Sequence, residues 1–252
     1  MSVDFKLLIV VPTYNEEENI EPLLKGIFEN VPHASVLFVD DNSQDLTRDK
    51  ISQAITKYEN RIAILKRPGK MGLASAYIDG FKWGLERKFD WICEMDADLS
   101  HRAVDLKSVV AAKGDADVII GSRYINGGGT INWSVFRQII SRVGSFYART
   151  ILGIKIQDLT GGFNLWSSKV LKNIGLESIL CEGYSFQIEL KYRANLAGYS
   201  LKESPIIFEE RRAGASKMSG AIVFEAVYKV WILLFNRHVI KQQIILAQSS
   251  NG

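Results

Sequence analysis

The chain has 252 residues, of which 47% are hydrophobic and 23% charged, and its net charge is only +3. This composition is typical of a globular protein with a sizeable core, and it argues against a disordered, collagen-like or low-complexity chain. The two cysteines, Cys93 and Cys181, lack CxxC or Cys/His spacing, which argues against a disulfide framework and a zinc site.

The first residues, Met1 to Lys6, lead directly into an apolar segment. They lack the basic region, the apolar stretch and the small-residue cleavage site of a signal peptide. We therefore expect the protein to stay in the cytoplasm.

Short apolar segments alternate with longer segments of helical spacing through the first half of the chain. The apolar segments are Leu7 to Val11, Val36 to Val39, Ile62 to Leu65, Trp91 to Met95 and Val118 to Ile120. Because they are apolar on both faces, they predict the strands of a mostly parallel sheet that is covered by helices on each side. In such α/β folds, ligands bind beyond the carboxyl ends of the strands.

Polar clusters follow three of these strands. They are Pro12 to Glu16, Asp40 to Ser43, and Asp96-Ala97-Asp98. Strand alternation would turn Asp96 and Asp98 to the same side, where both could bind a hard cation such as Mg²⁺ or Mn²⁺. A solvated loop, a helix cap or a turn would explain each cluster alone, but their position on one sheet edge favours a site.

Other ligand-binding motifs are absent from the sequence. No GxGxxG follows the first strand, and Pro68 to Gly72 lacks the upstream glycine and the Ser or Thr of a P-loop. An EF-hand that starts at Asp96 would have His101 at its sixth position and Lys107 at its twelfth, which excludes it.

A basic stretch without any acid lies between Asp117 and Asp158 and predicts an anionic ligand. Its cations are Arg123, Arg137, Arg142, Arg149 and Lys155. Within it, residues 133 to 152 have helical spacing, and one face of this helix is small and basic: Arg137, Ser141, Gly144, Ser145 and Ala148. Such a face could hold a phosphate and admit a long substituent, or it could serve close helix packing.

A second apolar helix is predicted from Ala221 to Phe235, interrupted by Glu225 and Lys229 and followed by basic residues. It is too short and too charged to span a bilayer, which needs about 20 predominantly apolar residues. It suits a helix that lies in a membrane interface or a docking surface, and core packing is the alternative. Nucleic-acid binding is disfavoured, because the basic stretches lack interleaved aromatic platforms.

A series of short motifs stands in the same order as in a known family. They are Val11-Pro12-Thr13-Tyr14-Asn15-Glu16, Val39-Asp40-Asp41-Asn42-Ser43, Arg67 to Gly72, Met95 to His101, Gly121-Ser122-Arg123-Tyr124, Asp158 to Phe163, Gly183 to Glu189 and Arg211 to Lys217. This series resembles the dolichol-phosphate mannosyltransferases, inverting family 2 glycosyltransferases with the GT-A fold. The resemblance implies a GT-A catalytic domain over residues 1–217, followed by an amphipathic helical appendage over residues 218–252.

The resemblance implies transfer of mannose from GDP-mannose to a polyprenyl (dolichyl-type) phosphate with inversion, giving a β-mannosyl phosphate. The implied donor site comprises Pro12, Tyr14, Glu16, Val39, Asp41, Lys70, Asp96, Ala97, Ser100, Arg211 and Lys217. The implied metal ligands are Asp96, Asp98 and Ser100, with Mg²⁺ or Mn²⁺ as cofactor, and Ser100 stands where some relatives have Gln. The implied acceptor-phosphate residues are Arg123, Arg137 and Ser141, and the implied catalytic residues are Asp98, Arg123 and Arg137.

Two other functions stay open at this point. Relatives with similar motifs use UDP-glucose or UDP-N-acetylglucosamine with the same kind of acceptor. A more distant alternative is a non-catalytic nucleotide-sugar-binding scaffold that docks on a membrane enzyme through residues 221–241. For the enzyme, we expect peripheral contact with the cytoplasmic face of a membrane, no nucleic-acid partner, and a membrane protein as a further candidate partner.

Overall fold

The computed structural model of the chain describes residues 5–58, 60–210 and 220–251, without the side chains of Tyr184 and of residues 220–226. Strands and helices alternate through its first half, as predicted. The elements are β1 (Leu7–Thr13), α1 (Ile20–Asn30), β2 (Ser35–Asp40), α2 (Thr47–Lys57), β3 (Ile62–Lys66), α3 (Leu73–Glu86), β4 (Trp91–Glu94), α4 (Ala103–Ala111), β5 (Val118–Ser122), β6 (Gly129–Ile131), α5 (Val135–Leu152), β7 (Asn164–Ser167), α6 (Ser168–Asn173), α7 (Gly183–Leu196), β8 (Leu201–Pro205), β9 (Ile207–Glu209), α8 (Gly220–Phe235) and α9 (Arg237–Ser250).

One mixed sheet organises the fold, with the strand order β3-β2-β1-β4-β7-β5-β8. All five predicted strands belong to it. Every neighbouring pair is parallel except those of β7, which runs antiparallel between β4 and β5. Strands β6 and β9 pair in parallel as a separate two-stranded sheet. The predicted mostly parallel sheet is therefore confirmed, and β7 and β8 are the two strands of this sheet that the apolar pattern did not predict.

The strands are apolar on both faces because each face has its own core. Along β1, Leu7 and Ile9 belong to one buried cluster, whereas Leu8 and Val10 belong to the other. Helices α1, α2 and α4 contribute to the first cluster, and α3, α5 and α7 contribute to the second. The sheet is thus the middle layer of three, which leaves its strand ends free to form a site.

The helix predicted from Trp133 begins at Val135, because Ser134 is its N-cap and accepts a 3.3 Å hydrogen bond from the amide of Arg137. It ends at Leu152, and the following Gly153 has a φ of 68°, the left-handed conformation that glycine adopts readily.

The two C-terminal helices α8 and α9 pack on the body of the protein. Val230 and Leu233 of α8, and Ile240 and Ile244 of α9, belong to the same buried cluster as Leu8. No helix in the described ranges is both long and apolar enough to cross a membrane. The division at residue 217 stays a prediction.

Candidate active site

The two carboxylates predicted to bind a metal lie just beyond β4. That strand ends at Glu94, so Asp96 and Asp98 belong to the following turn, in which Leu99 has a φ of 63°. The prediction that strand alternation turns both carboxylates to the same side is therefore wrong. The turn instead holds Asp98 in place, because the amide and hydroxyl of Ser100 donate to its Oδ1 over 3.1 and 2.5 Å.

Asp96 is held by Tyr77 and His101. The phenol of Tyr77 donates to Oδ1 of Asp96 over 3.0 Å, and the Asp96 amide donates to Nδ1 of His101 over 3.0 Å. Burial, followed by the Asp96 charge, raises the pKa of Tyr77 well above its ordinary value, so the phenol keeps its proton. Burial lowers the pKa of His101 and outweighs the opposing effect of Asp96, so the imidazole accepts this bond in its neutral form.

The turn suits a hard divalent cation. Two carboxylates and the Ser100 hydroxyl are oxygen ligands, the type that Mg²⁺ and Mn²⁺ prefer. Among residues 5–58, 60–210 and 220–251, no three His, Cys, Asp or Glu side chains are grouped to hold a metal ion. Mg²⁺ is commonly bound through one or two carboxylates together with substrate phosphates, so Asp96 and Asp98 fit such a site.

The predicted donor residues at the ends of β1 and β2 lie side by side. Pro12 is in register with Val39, and the amide of Asp41 donates to the carbonyl of Thr13 over 2.9 Å. The ammonium of Lys70 lies 4.1 Å from the ring centroid of Tyr14.

Two details qualify the predicted roles of these residues. The side chain of Val39 is fully buried in the core. Glu16 is fixed from two sides, since its amide donates to Thr47 over 2.8 Å and its carboxylate accepts from Asn19 over 2.7 Å.

A buried ion pair shapes the loop around Lys70. Arg67 donates to Oδ1 of Asp41 over 2.7 Å, and the amides of Met71 and Gly72 donate to Oδ2 over 3.2 Å each. This makes Asp41 the anchor of the segment that carries Lys70. The motif signal was present at both residues, but their pairing across 26 positions was not readable from the sequence.

Arg123 is fixed by a second buried ion pair. Its Nε and one terminal nitrogen each donate to Asp158 over 2.7 Å, and that terminal nitrogen also reaches Thr160 over 2.9 Å. Burial acts to raise the pKa of Asp158, but the Arg123 guanidinium outweighs it and the pKa lies below its ordinary value. Both groups are therefore charged, and the planar guanidinium is held in one orientation.

An aromatic cluster joins the Asp96 turn to the arginines. The ring of His101 lies 5.3 Å from that of Phe208, which lies 5.3 Å from that of Trp133. The guanidinium carbons of Arg123 and Arg137 lie 5.3 and 3.9 Å from the centroid of Trp133. The predicted metal ligands and the predicted phosphate-binding arginines are thus brought together.

Arg137 also forms an ion pair with Glu210 over 2.9 Å. This partner was not predicted, because it lies 73 residues away on the segment after β9.

The small face of α5 packs inward. Ser141, Ser145 and Ala148 are buried, and the Ser141 hydroxyl accepts a 2.5 Å hydrogen bond from Tyr124. Close packing was one of the two interpretations of this face, and these three buried side chains fit it. The contact of Ser141 with a phosphate stays a prediction.

Open space lies at the edge of α5 instead. A cavity of about 220 Å³ is lined by Arg123, Tyr124, Gly129, Thr130, Gln138 and Arg142. A second, of about 180 Å³, is lined by Tyr124, Arg142, Phe146, Arg149 and Gln157. Arg142 and Tyr124 therefore belong to the site, and the acid-free stretch was the sequence signal that included Arg142.

A charged network lies beneath the Asp96 turn. The fully buried Glu94 accepts hydrogen bonds of 2.7 to 2.8 Å from Asn164, Trp166 and Gln187. Burial raises the pKa of Glu94 to about 7, against the effect of these donors. Burial also lowers the pKa of the nearby Lys191 to about 8. Gln187, from the motif Gly183 to Glu189, thus supports the site from below together with Asn164 and Trp166 of β7.

Arg211 and Lys217, the predicted phosphate-closing residues, lie outside the described residues.

Comparison with known proteins agrees with this geometry. The family model for glycosyl transferase family 2 matches residues 8–175, more than half of the chain. Undecaprenyl-phosphate mannosyltransferase of Micrococcus luteus is 42% identical over 225 residues, covering 89% of this chain and 92% of the relative. Polyprenol monophosphomannose synthase of Mycolicibacterium smegmatis is 39% identical over 226 residues, covering 89% and 85%.

Solved structures agree in fold. Glucosyl-3-phosphoglycerate synthase from Mycobacterium tuberculosis with phosphoglyceric acid superposes at a TM-score of 0.67 and 14% identity, over 90% of this chain and 79% of that one. A structure of the same enzyme with Mn²⁺, UDP-glucose and phosphoglyceric acid gives a TM-score of 0.65 at 14% identity, over 90% and 80%. These likenesses show a GT-A-like fold. The family match and the two relatives show that this chain belongs to glycosyl transferase family 2.

Proposed function

We propose that the protein transfers mannose from GDP-mannose to a polyprenyl phosphate of the dolichyl type, with inversion at the sugar. One observation carries the proposal: the turn with Asp96 and Asp98 and the guanidinium groups of Arg123 and Arg137 meet at one aromatic cluster. A site for a donor diphosphate therefore adjoins a site for a second phosphate. The relatives named for polyprenol and undecaprenyl-phosphate mannose chemistry support the sugar and the acceptor.

On the donor side, Pro12, Tyr14 and Glu16 would hold the guanine nucleoside. Asp41 and the backbone of Val39 would lie beside the base and ribose, and Lys70 would also contact the donor. Asp96, Asp98 and Ser100 would bind the metal, with Ala97 beside the diphosphate. Arg211 and Lys217 would close over the donor phosphates. The Mn²⁺ and UDP-glucose in the M. tuberculosis structure support a metal-bound sugar nucleotide in this fold.

On the acceptor side, Arg123, Arg137 and Ser141 would bind the lipid phosphate. Arg123 is held rigidly by Asp158, so its orientation is set before the acceptor binds. The Ser141 hydroxyl already accepts from Tyr124, so its own proton is available to a phosphate oxygen.

The chemistry needs no dedicated proton acceptor. A phosphate monoester is anionic at neutral pH, so its oxygen can form a bond to C1 of mannose while the bond from C1 to the donor's β-phosphate breaks. The bonding electrons leave with GDP. Attack opposite the leaving group converts the α-linked donor to a β-mannosyl phosphate.

Charge control and positioning account for the catalysis. When bound, the metal would neutralise the charge that develops on the departing diphosphate. Asp98 would hold it there, and Arg123 and Arg137 would hold the attacking phosphate in line.

Because the acceptor is a lipid, we propose that the protein contacts the cytoplasmic face of a membrane from outside. The described helices include none that could cross a bilayer. A membrane protein partner is compatible with this arrangement.

The test is an assay with radiolabelled GDP-mannose, several polyprenyl phosphates, and Mg²⁺ or Mn²⁺. We expect labelled lipid only when acceptor and metal are both present, and loss of at least about 100-fold in rate for Asp98→Asn. The absence of labelled lipid with every acceptor and metal would overturn the proposal.

A second donor is tested in parallel by calorimetry with GDP and UDP. Tighter binding of GDP is expected. Tighter binding of UDP, with transfer from UDP-glucose or UDP-N-acetylglucosamine, would support the alternative in which the acceptor is the same lipid phosphate and the donor is a UDP-sugar. Nucleotide binding without any transfer would support the scaffold alternative.

A further inference from the structure

Lys191 is a fully buried cation on α7. Lysine is almost never fully buried unless it is paired, because an ammonium loses its hydration inside a protein. Its Nζ donates hydrogen bonds to the backbone carbonyls of Leu159 over 3.1 Å and of Gly161 over 2.6 Å. An apolar side chain of similar length would fill this space without the cost of burying a charge, so the lysine requires an explanation.

The charge of Lys191 is balanced by groups on several elements. Asp158, Glu94 at the end of β4 and Glu203 of β8 act to raise its pKa, whereas burial and the charge of Arg123 act to lower it. Burial has the largest effect, and the pKa of Lys191 is about 8. The ammonium is therefore charged at neutral pH, and it interacts with the ion pair that fixes Arg123.

The two carbonyls bound by Lys191 belong to the 158–161 loop, which begins with the residue that holds Arg123. Asp158 accepts hydrogen bonds from the amide of Arg123 over 3.0 Å and from two guanidinium nitrogens of Arg123 over 2.7 Å each. The amide of Gly161 donates back to Oδ1 of Asp158 over 3.0 Å. The loop is therefore closed on the Asp158 carboxylate, and Lys191 holds its carbonyls.

Lys191 supplies donors that regular secondary structure does not supply to this loop. The 158–161 loop belongs to no helix or strand, so its buried carbonyls need partners from side chains. The carbonyl of Gly161 also accepts a hydrogen bond from Asn164 over 3.2 Å, and Asn164 donates to Glu94 over 2.8 Å. Removal of the ammonium would leave the carbonyl of Leu159 without this donor in the core, and a shift of the loop would move the Asp158 carboxylate.

We infer that Lys191 is a positioning residue for the acceptor phosphate. It fixes the 158–161 loop, Asp158 at the start of the loop fixes the guanidinium of Arg123, and Arg123 binds the phosphate. Lys191 itself touches no substrate. The inference rests on the proposed function, because that proposal assigns Arg123 to the lipid phosphate. A shift of the loop would misplace the guanidinium, and a displacement of about 1 Å is enough to weaken a positioned contact severely.

Helix α7 offers a matched control in Arg193, which is also fully buried. Its guanidinium pairs with Glu189 over 2.8 Å and donates to the carbonyl of Ser178 over 2.7 Å. Two positions along a helix correspond to a rotation of about 200°, so Arg193 and Lys191 lie on opposite sides of α7. Substitution of Arg193 therefore removes a buried cation of the same helix without touching the 158–161 loop.

The test compares Lys191→Met with Arg193→Met in steady-state transfer assays. For Lys191→Met, we expect the KM for polyprenyl phosphate to rise by about tenfold, while calorimetric GDP binding stays within about twofold of the wild type. For Arg193→Met, we expect a lowered melting temperature and an unchanged KM for the acceptor. Lys191→Gln keeps a hydrogen-bond donor without the charge and replaces Lys191→Met if that variant does not fold, and its KM for the acceptor should rise by about threefold or more.

Double variants show whether Lys191 acts through Arg123. In an Arg123→Met background, Lys191→Met should raise the KM for the acceptor no further, because the group that it positions is gone. In an Arg137→Ala background, Lys191→Met should still raise this KM by about tenfold, because Arg123 is present.

Three results would overturn the inference. They are a KM for the acceptor in Lys191→Met that equals that of the wild type, equal rises of this KM in Lys191→Met and Arg193→Met, and a full further rise in the Arg123→Met background. The second result would make a general loss of stability the cause, and the third would mean that Lys191 does not act through Arg123.

Binding of a water-soluble, short-chain isoprenyl phosphate, measured by calorimetry without any donor, separates the inference from the proposed reaction. Weaker binding to Lys191→Met than to the wild type and Arg193→Met, together with no transfer from GDP-mannose in any protein, would defeat the proposed function and support the inference. Normal transfer by the wild type, together with equal binding of this phosphate to all three proteins, would support the proposed function and defeat the inference.

Discussion

The phenol of Tyr77 donates a hydrogen bond to Oδ1 of Asp96 over 3.0 Å, from a side chain that is itself fully buried on α3. This bond fixes the carboxylate that we assign to the metal. It also connects the core to the site, because Tyr77 stacks with Phe186 of α7 at a centroid distance of 6.4 Å.

Replacing Tyr77 by Phe should therefore disturb Asp96 while it preserves the packing of the ring. We expect the apparent affinity for Mn²⁺, measured as the metal concentration for half-maximal transfer, to fall by about fivefold to tenfold, in line with loss of one hydrogen bond to a charged group. The control is Tyr147→Phe, whose hydroxyl bonds a carbonyl away from Asp96. Equal metal dependence in Tyr77→Phe and the wild type would contradict the role of this bond.

Asp158 should be important for folding as well as for the orientation of Arg123. Asp158→Asn leaves the buried Arg123 guanidinium without its counter-charge, and we expect a loss of about 3 kcal/mol in the free energy of unfolding. Urea denaturation of the variant and the wild type measures this difference in the free energy of unfolding. The double variant Arg123→Met/Asp158→Asn should lose less than the sum of the two single losses, and strict additivity would show that the two charges do not interact.

We expect substitutions of Arg137 and of Glu210 to have opposite effects on the KM for the acceptor. Arg137→Ala should raise the KM for polyprenyl phosphate by about tenfold or more, since a charged phosphate contact is lost. Glu210→Gln should lower that KM or leave it unchanged, because it removes the competing carboxylate at 2.9 Å. Calorimetric GDP binding should be the same in both variants, and a similar rise of KM in both would show that the ion pair itself positions Arg137.

Glu94 should make stability depend on pH. Its pKa in the folded protein is about 7, raised by burial above the ordinary value of 4.5, so the folded state binds more protons than the unfolded chain between these values. The free energy of unfolding should therefore decrease as the pH rises from about 4.5 to 7. Glu94→Gln, followed by denaturant unfolding across this range, should flatten the dependence. An unchanged slope in the variant would assign it to other groups.

The strands could be predicted because their apolar character on both faces has a single physical meaning, burial between two helix layers. Two strands of the sheet, β7 and β8, were missed. The four residues of β7 carry no such pattern, and its antiparallel direction depends on how the chain returns from α5. Strand β8 lies at the edge of the sheet, and Leu201 is its only large apolar residue. Helix α5 begins at Val135, two residues after the predicted start at Trp133, because the N-cap Ser134 determines where the helix begins.

Within the site, residue types were easier to predict than partners. Asp41, Asp96, Arg123 and Arg137 were identified from their motifs. The residues that hold them, Arg67, Tyr77, Asp158 and Glu210, lie 19 to 73 positions away in sequence and meet them only after folding. The direction of α5 was also beyond prediction, since a pattern of small and large residues does not say which face meets the core.

The measurement that tests the central claim most directly is the NMR analysis of the lipid product formed from GDP-mannose and polyprenyl phosphate. We predict a mannosyl phosphate with the β configuration at C1, formed together with GDP and absent when the lipid phosphate is omitted. An α-linked product would contradict single displacement by the lipid phosphate. Release of free mannose without any lipid product would contradict the proposed acceptor.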